Sequence, residues 1–434
     1  MYFVNNDALA FLGESVQNIM YTFINKRKGF VKMSNLRYFT AGESHGKALV
    51  GFMEGIPSGL SISSADIDTD LKRRQGGYGR GGRMKIEADH AEIISGVRWG
   101  KTIGSPITLI IENRDFKNWE KGMSSLAAFE GSIPAVTKPR PGHADLSGAI
   151  KYQHHDIRNI LERSSARETA MRVALGAIAR KFLFEFNIKI GSYVIQIGKE
   201  KIQNSKIKNQ TSAGKLLEMF DLAEKSSVRC PDKTASEKMM ALIDKAIKNG
   251  NSLGGIFEVF ITGLPVGLGS YIQWDRKLDA RLARSIMSIQ AIKAVEIGDG
   301  FEMGRRFGSE VMDEIFYRKE QRGKLAGAGF YRKTNHAGGI EGGMSNGMPV
   351  ILRAAMKPIP TQRKPLNSID IITKKQVEAA YERSDICAVP AAAVIAEAMA
   401  ALTVADAFLE KFGGDSINET KRNYESYINY TSDF

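Results

Sequence analysis

The chain has 434 residues, 43% of them hydrophobic and 25% charged, with no fixed-period repeat or low-complexity block. That composition suits a soluble globular protein with a sizeable core and excludes a disordered or collagen-like chain. A net charge of +13 points to an anionic partner, either nucleic acid or a small polyanion. Cys230 and Cys387 are far apart and in no metal-ligand spacing, which argues against a disulfide scaffold or a zinc site and fits a reducing, cytoplasmic setting.

Residues 1–32 are expected to lie outside the fold. Their basic cluster Lys26-Arg27-Lys28 follows the apolar stretch instead of preceding it, so they do not form a secretory signal, and Met33 opens a new register. Residues 33–415 read as one α+β domain of interleaved segments, and 416–434 as a C-terminal tail. Ser63, Ser64 and Asp66 cap a helix over 65–74. Ile86 to Val97 and Ile107 to Ile111 are β-rich. Ile157, Ile160, Leu161, Val173, Ala174, Ala177 and Ile178 give helical spacing from Asp156 to Phe186, with Gly191 closing that region. The lysine-rich stretch 199–251 reads as helical and carries no legible chemistry. A strand follows at Ile256–Gly263. Next comes a helix at Asp279–Ile289, with Leu282, Ile286 and Ile289 on one side. Pro390 opens the last long helix and Gly413-Gly414 ends it. Glu397 and Asp406 interrupt its apolar run, so it is expected to be buried in protein and not in lipid.

Three motifs mislead. Gly77-Tyr78-Gly79-Arg80-Gly81-Gly82 matches a dinucleotide fingerprint, but a helix precedes it and a strand follows, the reverse of the required order. Gly100-Lys101-Thr102 resembles the end of a phosphate loop whose leading glycine is replaced by Ser95. Asp66, Asp68 and Asp70 begin like a calcium loop, yet Leu71 and Gly77 stand where glycine and glutamate are needed. Adjacent His154 and His155 point in different directions on a helix and read as structural or surface residues, as does His90; His336 lies in a glycine-rich loop within reach of a ligand but carries no motif of its own.

The remaining motifs place His or Arg among small residues. These are Gly42-Glu43-Ser44-His45-Gly46, Arg140-Pro141-Gly142-His143-Ala144-Asp145 and Arg163-Ser164-Ser165-Ala166-Arg167-Glu168. Small neighbours let a ligand approach the backbone, and arginine grips phosphate or carboxylate through paired donors. Arg73 to Arg83 adds four arginines among five glycines. It reads as a loop over a small anion, with a single RNA-binding RGG-like block as the runner-up. If the helix ran on through Ser164-Ser165, Arg163 and Arg167 would share a face, their repulsion offset by a bound anion or by Glu162 and Glu168. A glycine-rich loop, Gly338–Gly347, and a stiff turn, Lys357-Pro358-Ile359-Pro360-Thr361, present backbone to a flat ring or phosphate. Arg383-Ser384-Asp385 contributes one more cation and one carboxylate.

Taken in order over residues 33 to about 415, these segments resemble the chorismate synthase family. The resemblance implies an α+β fold, the family's β-α-β sandwich in a single domain, assembled as a homotetramer with no metal, nucleic-acid or membrane partner. It implies a carbon–oxygen lyase of the shikimate pathway: 5-enolpyruvylshikimate 3-phosphate loses phosphate and a ring hydrogen in an anti-1,4 elimination that gives chorismate. Reduced FMN is required although the reaction is redox-neutral. Some members reduce flavin themselves with NADPH; others use an external flavin reductase, the expectation here, since no added nucleotide-binding domain is visible. By similarity His45 protonates the leaving phosphate, His143 stabilises the reduced flavin, and Asp385 helps move the proton at flavin N5. Arg74, Arg80, Arg83, Arg167 and Arg383 bind substrate. Arg163, Ser164, Ser165, Gln290, Ala291, Gly342, Lys357, Pro358, Ile359, Pro360, Thr361 and Arg383 bind the flavin. Gln290 stands where many members carry asparagine.

Overall fold

The computed structural model describes residues 35–81, 88–203, 212–322, 328–380 and 385–434. Residues 1–32 and two of the expected substrate-binding arginines, Arg83 and Arg383, lie outside the described residues.

Two antiparallel sheets enclose a layer of helices. The first contains β1 (Arg37–Ala41), β2 (Ala48–Glu54), β3 (Glu92–Ser95) and β4 (Ile107–Glu112) in the order β1-β2-β4-β3. Strand β2 alternates between buried and half-buried residues, turning Leu49 and Met53 inward. The second sheet uses β5 (Lys189–Ile197), β6 (Glu200–Lys201), β7 (Gly255–Thr262), β8 (Ile292–Ile297) and β11 (Val350–Met356), ordered β8-β11-β7-β5-β6. A separate hairpin, β9 (Ile315–Arg322) and β10 (Ala328–Arg332), lies between β8 and β11 in the chain.

The helical layer holds α1 (Ser64–Gln75), α4 (Thr169–Phe184), α7 (Leu278–Met287) and α8 (Val389–Phe412). Helix α4 packs on β2, α8 packs on β5 and β7, and α4 and α8 pack on each other. This β-α-β sandwich agrees with the expected α+β class. Helix α8 is apolar on every side, as a helix central to a core must be. By length and composition it would also cross a membrane, but 89% of its most apolar window is buried inside the protein. Its one deeply buried charge, Glu397, is matched by Arg73, Arg180 and Arg229. Burial pushes that carboxyl up, but the three guanidiniums outweigh it and bring it to about 2.

Several sequence expectations need correction. The helix expected over 156–186 breaks at Ser165, whose ψ of 140° is extended, leaving α3 (Arg158–Ser164), which follows α2 (Asp145–Tyr152), before α4. Arg163 and Arg167 therefore do not share a face. Gly191 does not close a helix but sits inside β5, where a Cβ would fall 2.6 Å from the Phe260 ring. The 199–251 stretch contains β6 as well as α5 (Ala213–Glu224) and α6 (Lys233–Lys248). Residues 416–434 are not a loose tail: Ser416 caps α9 (Ile417–Asp433), Ile417 and Thr420 are buried, and Tyr424 and Tyr427 pack on the core. The three aspartates of the false calcium loop do three separate jobs. Asp66 completes a capping box with Ser63, Asp68 accepts from His90, and Asp70 pairs with Arg73 and Arg180.

Candidate active site

The loop between β1 and β2 carries His45 onto the last turns of α3. The Glu162 carboxylate accepts both the His45 backbone N–H at 2.7 Å and the Nδ1–H at 2.8 Å. Burial works against that carboxylate, but the hydrogen bonds and charge of His45 prevail and hold it below its ordinary value. The Trp119 ring covers the imidazole, with centroids 4.4 Å apart. Ser44 donates to Ser165 at 3.1 Å, and Arg163 fastens the loop from below by donating to the Thr40 and Gly42 carbonyls.

Arginines gather next to this corner. Asn113 donates to the Glu43 and Gly46 carbonyls and accepts from Arg167 Nε at 2.9 Å, tying loop to guanidinium. Arg167 Nη1 lies 2.5 Å from Asp89, a fully buried carboxylate, and Arg74 Nη1 approaches the other Asp89 oxygen at 3.5 Å. Arg74 also donates to Ala166 O and Thr169 Oγ1. Burial lowers the Arg74 guanidinium, Asp89 opposes, and the fields of Arg80 and Arg167 add to the fall, to about 10. Arg80 pairs with Asp385 at 3.3 Å, and Asp385 Oδ1 accepts the Gly81 N–H. Arg73, Arg74 and Arg80 have side chains only 13%, 4% and 9% exposed. These three are turned inward, toward carboxylates, which weighs against the RNA-binding reading.

His143 defines a second corner. Its Nδ1 lies 2.5 Å from Asp145 Oδ1, so that nitrogen carries the proton. Arg140 Nη2 is 3.1 Å from the same nitrogen, but its hydrogen is better given to Asp145 Oδ1 at 3.0 Å. Gly142, at φ +78°, lets the loop lie against the stiff 357–361 turn, where a Cβ would meet Lys357 Nζ at 3.2 Å and Pro360 at 3.8 Å. Lys357 Nζ donates to Gly142 O, and Arg140 donates to Thr361. Burial and the charge of Lys293 lower the Lys357 ammonium.

Two routes join the corners. Glu168, next to Arg167, accepts from Gln290 at 2.7 Å; Ala291 O then accepts the Lys357 N–H. Separately, Ile386 O accepts from Leu253 N, whose neighbour Ser252 donates to Ile359 O. Hydrogen bonds and chain continuity therefore link the segments that carry the arginines, the two imidazoles and Asp385.

A family model described as chorismate synthase matches residues 36–409. Relatives bear the same name, among them two bacterial proteins. The Geobacter sulfurreducens protein is 57% identical over 401 residues, covering 92% of this chain and 100% of that protein. The Aquifex aeolicus protein is 55% identical over 400 residues, covering 92% and 99%. A solved crystal structure of a chorismate synthase aligns with a TM-score of 0.74 at 46% identity, covering 92% of this chain and 99% of that one. The chain belongs to the chorismate synthase family.

The family requires a reduced flavin, and the second corner suits one. Gln290 Oε1 is buried without a hydrogen-bond partner among the described residues, an acceptor left for a ring N–H. Ala291 holds a left-handed φ of +67° beside it, and Lys357 and Arg140 supply positive charge. Reduced FMN, with N–H groups on its ring and a phosphate on its tail, fits that set of donors and acceptors. Ser164 donates to Ile160 O within its own helix, and Ser165 faces Ser44. Gly342 is set apart. It lies in the hairpin Ile340–Ser345, which joins the start of β11 where a Cβ on Gly339 would touch Pro349. Lys357 follows the other end of that seven-residue strand, about 20 Å away.

Sequence reasoning missed Asp89, Asn113 and Trp119, named Arg140 in its motif without giving it a role, and gave Glu162 only a charge-balancing part. Glu162 was the findable one: it directly follows the apolar pair Ile160-Leu161, and a carboxylate carried inward with them has to answer some buried donor.

Proposed function

We propose that this region carries out the family's reaction, the elimination of phosphate from 5-enolpyruvylshikimate 3-phosphate to give chorismate. The observation that carries the reading is a half-buried imidazole, His45, held beside an inward-facing group of arginines. The substrate's phosphate and two carboxylates would compete with Asp89 and Asp385 for Arg74, Arg80 and Arg167, with Arg83 and Arg383 adding to the clamp. His45 gives a proton from Nε2 to the departing phosphate, which develops negative charge as it leaves. Asp385 Oδ1 accepts the Gly81 amide and Oδ2 faces Arg80 at 3.3 Å, so the carboxylate is held in place and would help move the proton at flavin N5. His143 and Arg140 hold positive charge where the flavin ring would lie, and exclusion of water strengthens each of these interactions. When bound, reduced FMN lends electron density to the substrate and takes it back.

Arg163, Ser164, Ser165, Gln290, Ala291 and Lys357–Thr361 would hold the flavin, with Gly342 supplied by a second copy in a homotetramer. The protein would act in the cytoplasm, with NADPH reaching the flavin through an external reductase. Anaerobic mixing of the protein with chemically reduced FMN and substrate should release inorganic phosphate. Folded protein that released none would overturn the reading. Oxidation of NADPH by this protein alone would replace the external reductase with an internal activity.

A further inference from the structure

We propose that Glu162 is a positioning residue that keeps a proton on His45 Nδ1 and so makes Nε2 the nitrogen through which His45 works. The inference rests on the reading of His45 as the acid for the leaving phosphate, and it adds which residue sets up that acid and which ring nitrogen delivers the proton.

Three observations converge. The Glu162 side chain is 1% exposed, and both of its oxygens serve one residue, accepting the backbone N–H and Nδ1–H of His45. Two bonds from one carboxylate to the main chain and ring of the same residue fix the loop and the ring orientation together. An ionised carboxylate only accepts, so Nδ1 must carry the hydrogen facing it. Second, the ring is held on its face as well as its edge. Trp119 stacks against it, and the Arg158 guanidinium lies 4.8 Å from the Trp119 centroid while reaching Glu162 Oε1 at 3.5 Å. Third, Nε2 points away from α3, with Asp115 Oδ2 at 4.0 Å. Asp115 belongs to the 3-10 turn Arg114–Asn118. The charged groups near His45 include Glu162 and Arg158 from α3 and Asp115 from that turn. With Nδ1 committed, Nε2 gives its proton from the imidazolium, which carries hydrogen on both nitrogens, and the ring is left as the Nδ1–H tautomer without a flip.

An amide cannot reproduce this. Glutamine at 162 has one accepting oxygen for two N–H groups, and its NH2 set against Nδ1 would favour the tautomer with hydrogen on Nε2. The same reasoning applies wherever a carboxylate sets a catalytic imidazole, and loss of the correct tautomer there is costly in turnover.

The test is a two-bond proton–nitrogen spectrum of the resting, 15N-histidine-labelled full chain without flavin or substrate. His45→Ala identifies the His45 signals by their loss. The wild type should show His45 with Nδ1 protonated, and Glu162→Gln should shift it toward the Nε2–H form. In the reduced-FMN assay Glu162→Gln should lower kcat at least about tenfold, while calorimetry with substrate alone shows affinity within about twofold. Glu162→Asp, which keeps a carboxylate, should retain the Nδ1–H pattern and recover part of kcat. A wild-type ring protonated on Nε2 alone would overturn the proposal without any variant having to fold. So would a Gln variant with unchanged tautomer and kcat, or one that loses substrate affinity in step with kcat. Normal turnover by His45→Ala would instead remove the acid role itself, whatever the tautomer.

Discussion

His45 and His143 each direct Nδ1 at a carboxylate that is 1% exposed, Glu162 in one corner and Asp145 in the other. The cations around those carboxylates differ. Glu162 has Arg158 at 3.5 Å, a long contact. Asp145 takes Arg140 Nε at 2.8 Å, Nη2 at 3.0 Å and the Arg140 backbone N–H at 3.0 Å. Asp145 thus divides its charge between an arginine and an imidazole, while Glu162 gives most of its charge to His45. The difference separates two tasks. Glu162 sets up one proton at one ring, and Asp145 is also the pin that holds the 140–145 loop in shape against the 357–361 turn.

Removing the pin should have the largest effect. Asp145→Asn keeps the shape but strips the counter-charge from a nearly buried guanidinium, a change of about 3–5 kcal/mol when a buried pair is broken. Urea unfolding should show that loss, and Glu162→Gln should show much less. Equal losses would erase the distinction between the corners. Acid sharpens the same test. Burial raises the Asp145 carboxyl, but His143 and Arg140 prevail and hold it well below the ordinary range. A depressed folded-state value means its stabilisation is complete above the unfolded value near pH 4. It is lost as pH falls below that toward the folded-state value. Wild-type and Asp145→Asn stabilities should therefore differ at neutral pH and converge in acid.

The imidazoles themselves come next. His45→Ala removes the proton donor and should lower kcat by about a hundredfold or more at saturating flavin and substrate. His143→Ala leaves Arg140 in its corner, so positive charge persists there and turnover should fall less, about tenfold. Anaerobic phosphate release measures both, and a reversed order would break the assignment of proton delivery to the Glu162 corner.

Much of this was legible in the sequence because the motif loops announce themselves. His and Arg among glycines mark His45, His143 and the arginine loop, and α8 follows from its apolar run, its opening Pro390 and its closing glycines. What stayed hidden depends on long-range pairing. Asp89 is a single aspartate before a histidine, and nothing local says that it closes on Arg167, 78 residues further along the chain. Asn113 at the end of β4 carries no motif, yet it joins the Gly42–Gly46 loop to Arg167. The break at Ser165 was invisible for a different reason. Apolar spacing continues on both sides of it, and only the extended backbone there sends Arg163 to β1 and Arg167 to Asp89.

The smallest predicted effect tests how the two corners meet the rest of an assembly. Gly342 has a φ of +59°, and no atom lies within 4 Å of where its Cβ would be. Gly342→Ala therefore pays for left-handed backbone alone, about 1 kcal/mol, and should shift the unfolding midpoint only slightly. Within one chain it lies at the far end of β11 from Lys357, so a self-sufficient site would bind reduced FMN as tightly as before. If a second copy brings Gly342 to the His143 corner, the added methyl group should weaken flavin binding severalfold while substrate binding at the His45 corner stays unchanged. Flavin titration of the wild type and the variant at matched protein concentrations separates these outcomes. Unchanged flavin affinity would confine the His143 corner to residues of a single chain.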